Sequence, residues 1–183
     1  MGRLVIISSP SGGGYDSVIN ALLKILSNSA RLVTTTSRPL RPGNKNGVDY
    51  YFVSEGEFKD KIKSGDFLEH NLYAGNYYGA EKKRLAEALG KYDWVLTQIE
   101  VNGKHNLDKA GIKNMAIFLL PESLEILSER IRQRGGVSEG LIKERMEIAK
   151  SEIAKSEDYD LRIVNQDGKF AETVGKIAEF LLK

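Results

Sequence analysis

A glycine-rich turn and a pair of proline-braced arginines carry the most evident chemistry in this chain. The turn reads Ser9-Pro-Ser-Gly-Gly-Gly-Tyr-Asp-Ser17 and follows the apolar run Leu4 to Ile7 directly. Glycines at such a place let successive backbone N–H groups converge on one phosphate at a helix N-terminus. Ser11, Gly12, Gly13, Gly14, Tyr15, Asp16 and Ser17 are therefore candidate phosphate ligands. In its usual form such a loop ends Gly-Lys-Ser/Thr, with the lysine reaching the β and γ phosphates and the hydroxyl on magnesium. Here Tyr15 stands at the lysine position and Asp16 at that of the hydroxyl, which leaves Ser17 as the hydroxyl candidate for Mg2+. A phenol of unperturbed pKa about 10 donates one hydrogen bond but no charge.

The second constellation is Thr34-Thr-Thr-Ser-Arg38-Pro-Leu-Arg41-Pro-Gly43, continuing through Gly47-Val-Asp-Tyr-Tyr-Phe52. Arg38 and Arg41, held by prolines and a glycine in a non-helical stretch, form a stiff fork suited to a dianionic monophosphate. This segment resembles the GMP-binding signature of guanylate kinases, Ser-x-x-Thr-Thr-Arg-x-x-Arg-x-Gly and then Gly-x-Asp-Tyr. The resemblance implies that Arg38, Arg41 and Tyr50 hold the GMP phosphate and that Thr34 takes the place of a base-contacting serine. It extends to Gly65-Asp-Phe-Leu-Glu69 and Gly75-Asn-Tyr-Tyr-Gly79. There it makes Glu69 the acceptor for guanine N1–H and the 2-amino group, and Tyr78 a further phosphate ligand. Ala80 stands where the family commonly has a hydroxyl.

Trp94-Val-Leu-Thr-Gln98-Ile-Glu100 is an apolar strand ending in polar residues. The family places acidic residues at both 98 and 100 to organise GMP and the magnesium-bound phosphates, so Glu100 keeps that role by resemblance while Gln98 is neutral. Arg130-Ile-Arg-Gln-Arg134-Gly135, with Ser138-Glu139 and Arg145 further on, resembles the family's lid. The implied catalytic arginines are Arg38, Arg130, Arg134 and Arg145, which stabilise charge on the transferred group. Asn165, at the end of a strand near the expected adenine pocket, is the donor-side candidate. Lys82 and Lys83, just past Gly79, are possible substitutes for the missing loop lysine.

Positioning these residues requires a particular succession of elements. Arg3 to Ser8 reads as a buried strand, followed by the turn and a helix from about Asp16 to Leu26. Later apolar runs, Trp94 to Ile99, Ala116 to Leu120 and Leu161 to Val164, alternate with helical patterns, as in a parallel sheet covered by helices. Ser123 to Gln133 is one helix, with Leu124, Leu127 and Ile131 on one face. Ser138 caps another, carrying Leu141, Ile142, Met146, Ala149 and Ile153. A last helix spans about Lys169 to Leu182. Between Thr34 and Gly79 the texture changes to short strands, Asp49 to Val53, Phe67 to Leu72 and Asn76 to Tyr78, with a helix after Ser54. The expected fold is α/β, a parallel sheet flanked by helices as in nucleoside monophosphate kinases. Its expected parts are a core over about 1–33 and 81–183, an α+β GMP-binding insertion over about 34–80 and an arginine-bearing lid over about 130–145.

Composition narrows the function classes. The 183 residues suffice for one core, and 27 basic against 25 acidic side chains give no bulk field for nucleic acid or an anionic membrane. With no cysteine and only His70 and His105, neither a thiolate nor a histidine-built metal site is expected. Leu4 to Ile7 is too short for a signal core or a span, so a cytoplasmic protein is expected, and the resemblance implies GMP and ATP, the latter with Mg2+, as its partners. Three readings stay open on the residues: an ATP:GMP phosphotransferase with an altered loop, a GMP-binding or protein-interaction module without turnover, and a kinase for another phosphorylated sugar or nucleotide. Glu69 counts against the third, because without guanine a buried carboxylate there is left unpaired.

Overall fold

The computed structural model describes residues 2–73, 75–133 and 138–183. Its strands are β1 (Arg3–Ser8), β2 (Ser29–Arg31), β3 (Thr35–Thr36), β4 (Tyr51–Phe52), β5 (Phe67–Tyr73), β6 (Asn76–Glu81), β7 (Trp94–Thr97), β8 (Met115–Leu120) and β9 (Leu161–Val164). Its helices are α1 (Tyr15–Ile25), α2 (Glu55–Lys63), α3 (Lys82–Lys91), α4 (Val101–Lys109), α5 (Leu124–Gln133), α6 (Glu139–Lys155) and α7 (Phe170–Leu182). One sheet has five strands in the order β2-β7-β1-β8-β9, and a second has four in the order β4-β3-β6-β5. The pairs β2/β7, β1/β8 and β8/β9 are parallel, the arrangement that near-continuous apolar strands and intervening helices require. The mixed α/β fold expected from the sequence is the one observed.

The chain divides into two compact units, the first drawn from residues 2–4, 28–97 and 102–114 and the second from 5–27, 98–101 and 115–183. In the first unit β3 pairs parallel with β4 and antiparallel with β6, placing Thr35 opposite Gly79 and Thr36 opposite Tyr78. The β5/β6 hairpin shifts register between Phe67 and Glu69 and sets Glu69 opposite Ala80. Helix α2 starts where the sequence demands it. Ser54 accepts from Glu57 N while Glu57 accepts from Ser54 N, a reciprocal cap that satisfies two otherwise orphaned donors. The helix then buries Phe58, which stacks on Phe67 at 4.3 Å and on Tyr77 at 5.4 Å.

In the second unit Val5, Ile6 and Ile7 of β1 and Ile117, Phe118 and Leu119 of β8 are fully buried. Val18, Ile19 and Leu22 form the inward face of α1, and α1 packs on α7. Leu127 and Ile131 of α5 meet Ile142, Ala149 and Met146 of α6 in a separate apolar cluster. The Ser138 hydroxyl caps α6 by accepting from Leu141 N at 3.3 Å, as its position in the sequence requires.

Candidate functional site

In the first unit a basic and aromatic cluster gathers around Arg38. Strand β3 delivers it: Ser37 and Tyr77 exchange hydrogen bonds, and Thr36 Oγ1 donates to Tyr77 O at 2.8 Å while accepting from Arg38 N at 3.1 Å. The Arg38 residue is only 9 % exposed. Its guanidinium lies over the rings of Tyr50 at 5.5 Å and Phe52 at 5.4 Å, an arrangement that favours a cation. Tyr50 in turn meets Tyr78 edge-on at 5.9 Å, and Tyr78 meets Tyr73 at 6.5 Å. Nη1 donates to Pro39 O at 3.1 Å and Nη2 to Asn44 Oδ1 at 2.9 Å. The structure thus brings together Arg38, Tyr50 and Tyr78, while Arg41 is exposed on the adjoining turn.

Glu69, buried on β5, and Thr34, buried just before β3, belong to the same unit. Thr34 O accepts from Tyr51 N at 2.9 Å, which ties the Arg38-bearing segment to the Tyr50-bearing one. The same unit holds an ionic cluster that sequence reading missed. Glu81 accepts from Thr35 Oγ1, pairs with Lys61 at 3.2 Å and with Arg84 at 3.4 Å, and Arg84 stacks over Tyr51 at 3.5 Å. Burial pushes the Glu81 carboxyl up, but the Thr35 hydroxyl and the two cations hold it below its ordinary value. Lys82 and Lys83 are exposed, and Lys82 Nζ donates to Gly65 O at 2.8 Å.

The second unit holds the glycine turn. Gly14 adopts φ 88° as the N-cap of α1 and makes no side-chain cap, so the helix offers backbone donors at its N-terminus. A Cβ on Gly13 would lie 2.5 Å from that of Ser9, so only glycine fits there. Gly13 N donates to Pro10 O at 2.8 Å, and Gly13 O accepts from Asn165 Nδ2 at 2.9 Å. Gly12 is buried and Ser11 half-buried. Tyr15 is the first residue of α1 and half-buried, and Asp16 and Ser17 are exposed in the first turn. Asp16 places a negative charge where a helix dipole also attracts phosphate. The donor set, a helix N-terminus preceded by glycines, fits a nucleotide phosphate, with the Ser17 hydroxyl as one oxygen ligand for a metal ion carried by that nucleotide. Among the described residues no group of three or more His, Asp or Glu could hold a metal ion.

Ser8, the last residue of β1, donates from Oγ to Ile99 O and accepts from Tyr159 OH at 2.8 Å. This fixes the segment that carries Glu100, which is half-buried. Burial pushes the Glu100 carboxyl up to about 7, against a smaller pull from Lys155. Glu152 on α6 is buried, and its Oε2 has no hydrogen-bond partner among the described residues. Burial, with the negative Glu100 adding to it, pushes Glu152 up to about 8, again opposed by Lys155. Arg145 Nε, on the same helix, is buried without a partner among the described residues. Arg130 is tied to Asp167, lies 4.0 Å from Glu122 and donates to Asn165 O at 3.5 Å. Arg134 lies outside the described residues.

Sequence reading missed Glu152, Asp167 and Asn44. A signal existed only for Asn44, which follows the turn-forming pair Pro42-Gly43.

A family model described as "Guanylate kinase" matches residues 1–183. The guanylate kinase of Rickettsia bellii is 37% identical over 182 residues, covering 100% of this chain and 94% of its own. That of Lactobacillus acidophilus is 41% identical over 166 residues, covering 90% and 81%. A crystal structure of guanylate kinase from Anaplasma phagocytophilum superposes with TM-score 0.78 at 32% identity, covering 99% of this chain and 85% of that one. A shikimate kinase from Bacteroides thetaiotaomicron, at TM-score 0.55 and 14% identity over 99% of both chains, shares the fold alone.

Proposed function

The chain belongs to the guanylate kinase family, and from that premise we propose that it transfers the γ-phosphoryl group of ATP to GMP, giving GDP and ADP. The observation that carries the reading in this chain's own residues is Arg38, buried between the Tyr50 and Phe52 rings with neutral hydrogen-bond partners. A guanidinium so held keeps its charge for a dianionic phosphate. Tyr50, Tyr78 and Arg41 complete the phosphate shell, Glu69 selects guanine, and Thr34 contacts the base.

In the transfer, an oxygen of the GMP phosphate forms a bond to the γ phosphorus. The bond from that phosphorus to the bridging oxygen breaks, and ADP leaves with the electron pair. The amides of Gly12, Gly14 and the first turn of α1, with Ser11, Tyr15, Asp16 and Ser17 around them, cradle the donor phosphates, while Gly13 shapes the loop, its N–H spent on Pro10 O and its carbonyl held by Asn165. The Ser17 hydroxyl would be an oxygen ligand for magnesium, which would supply positive charge to the donor phosphates when bound. Arg38, Arg130, Arg134 and Arg145 stabilise charge on the transferred group, with Glu100 contributing to the organisation of GMP. A reaction fed by ATP and GMP belongs in the cytoplasm, and no helix among the described residues is long and apolar enough to cross a membrane.

A module that binds GMP without turnover is less favoured, because Arg38, Tyr50, Glu69 and Tyr78 are all retained alongside relatives named guanylate kinase over nearly the full chain. The deciding experiment is a coupled assay of GDP and ADP formation from GMP, ATP and magnesium, with GMP binding followed by calorimetry. Turnover by the unmodified chain is expected. GMP binding with turnover only after Tyr15→Lys would make it a binding module instead.

A further inference from the structure

The turn Arg41-Pro42-Gly43-Asn44 closes with a hydrogen bond from Asn44 N to Arg41 O at 3.0 Å, and Gly43 sits at φ 87°. That is a type II turn: proline presets its second position and only glycine takes its third without strain. The turn reverses the chain so that the Asn44 side chain returns to Arg38, six residues earlier, and Oδ1 accepts from Nη2 at 2.9 Å. Pro39 O holds Nη1 from the same segment. Asn44 is itself half-buried.

We infer that Asn44 is a positioning residue for the acceptor phosphate, its amide oxygen aiming the Arg38 guanidinium while leaving the guanidinium's charge intact. The inference rests on reading the Arg38 cluster as the GMP phosphate site. The neutrality of the acceptor matters. A guanidinium carries five N–H donors, so two bonds to neutral oxygens orient it without exhausting it. The ring faces of Tyr50 and Phe52 restrain it on the other side and add attraction, not a counter-charge. Free rotation of a long side chain is suppressed before the ligand arrives, which lowers the ordering cost of binding.

The test measures GMP and guanosine binding to Asn44→Ala, Asn44→Asp and Asn44→Leu, with Arg38→Ala beside them. Asn44→Ala is expected to weaken GMP binding about tenfold, the loss of one hydrogen bond to a charged group. It should raise KM for GMP while kcat and KM for ATP stay within about threefold, and guanosine, which has no phosphate, should bind as before. Asn44→Asp keeps an acceptor of the same shape but adds a counter-charge to the guanidinium, so it should hold Arg38 and still bind GMP more weakly than the parent, whereas Asn44→Leu fills the space without an acceptor and should lose about as much as Asn44→Ala. Unchanged GMP affinity in Asn44→Ala overturns the inference, as does an equal loss for GMP and guanosine, or rescue by Asn44→Leu. If Arg38→Ala weakens GMP binding and Asn44→Ala does not, this inference alone falls. If Arg38→Ala has no effect, the phosphate-site reading falls with it.

Discussion

The two units treat charge in opposite ways. In the first, Arg38 donates to neutral acceptors and lies over aromatic faces, which hold its positive charge in place without a counter-charge of their own. In the second, Arg130 is paired with Asp167 near Glu122, while burial raises the carboxyls of Glu100 and Glu152, the negative Glu100 adds to the shift at Glu152, and the exposed Lys155 opposes both. The glycine turn of the same unit adds Asp16 and no cation. On the proposed function, the first unit offers the acceptor phosphate a guanidinium already held in place, whereas the second would have to gain positive charge on taking up a nucleotide. Magnesium is one source of that charge and the arginines of α5 and α6 are another.

The contrast breaks most visibly at Arg38. Arg38→Ala should lower kcat/KM for GMP about a thousandfold, since it removes a charge-assisted donor set from a phosphate, and should leave ATP binding within a fewfold of the parent. Steady-state kinetics with each substrate varied in turn checks this. A loss below about tenfold would mean that Arg38 is a structural arginine and that the first unit holds no preassembled anion site.

Adding a cation to the second unit sharpens the contrast from the other side. Tyr15→Lys should raise kcat about a hundredfold, the scale of one transition-state donor, with little change in KM for GMP. Single-turnover measurements at saturating magnesium separate chemistry from product release. An unchanged chemical step would show that the present residues already supply the missing charge.

Legibility in the sequence followed the length and regularity of each element. Strand β1 and helices α5, α6 and α7 were readable because long apolar periodicities and the Ser138 cap state their limits. Strand β7 ends at Thr97, two residues before the apolar run does, because Ile99 turns inward to serve Ser8. Strands β2 and β3 have three and two residues, with Ser29-Ala-Arg31 and Thr35-Thr36 as their whole content, and such segments have no period to detect. Helix α4, Val101–Lys109, shows little amphipathic pattern, and its buried Lys104 is kept by an ion pair to Asp108 at 2.8 Å. The Arg38 cluster was legible because prolines and a glycine brace it locally. Glu152 was not, because a charged residue inside an apolar helical face is found only when the partners across the fold are known.

Glu152 supplies the smallest effect and the cleanest sign. A carboxyl raised to about 8 in the folded protein, against 4.5 for the ordinary side chain, binds a proton more tightly folded than unfolded. Between those values the native state carries more protons, so stability falls as pH rises. The contribution is complete below about pH 4.5 and lost as pH passes through the folded value. Glu100, raised to about 7 beside it, adds to the same slope. Glu152→Gln keeps the shape and removes the charge. It should therefore match the parent near pH 5.5 and exceed it near pH 9 by about 1 to 2 kcal/mol in urea unfolding. Equal stability at pH 9 would mean that the buried carboxylate is compensated after all. The second unit would then be no poorer in positive charge than the first, and the low-charge account of the altered loop would lose its support.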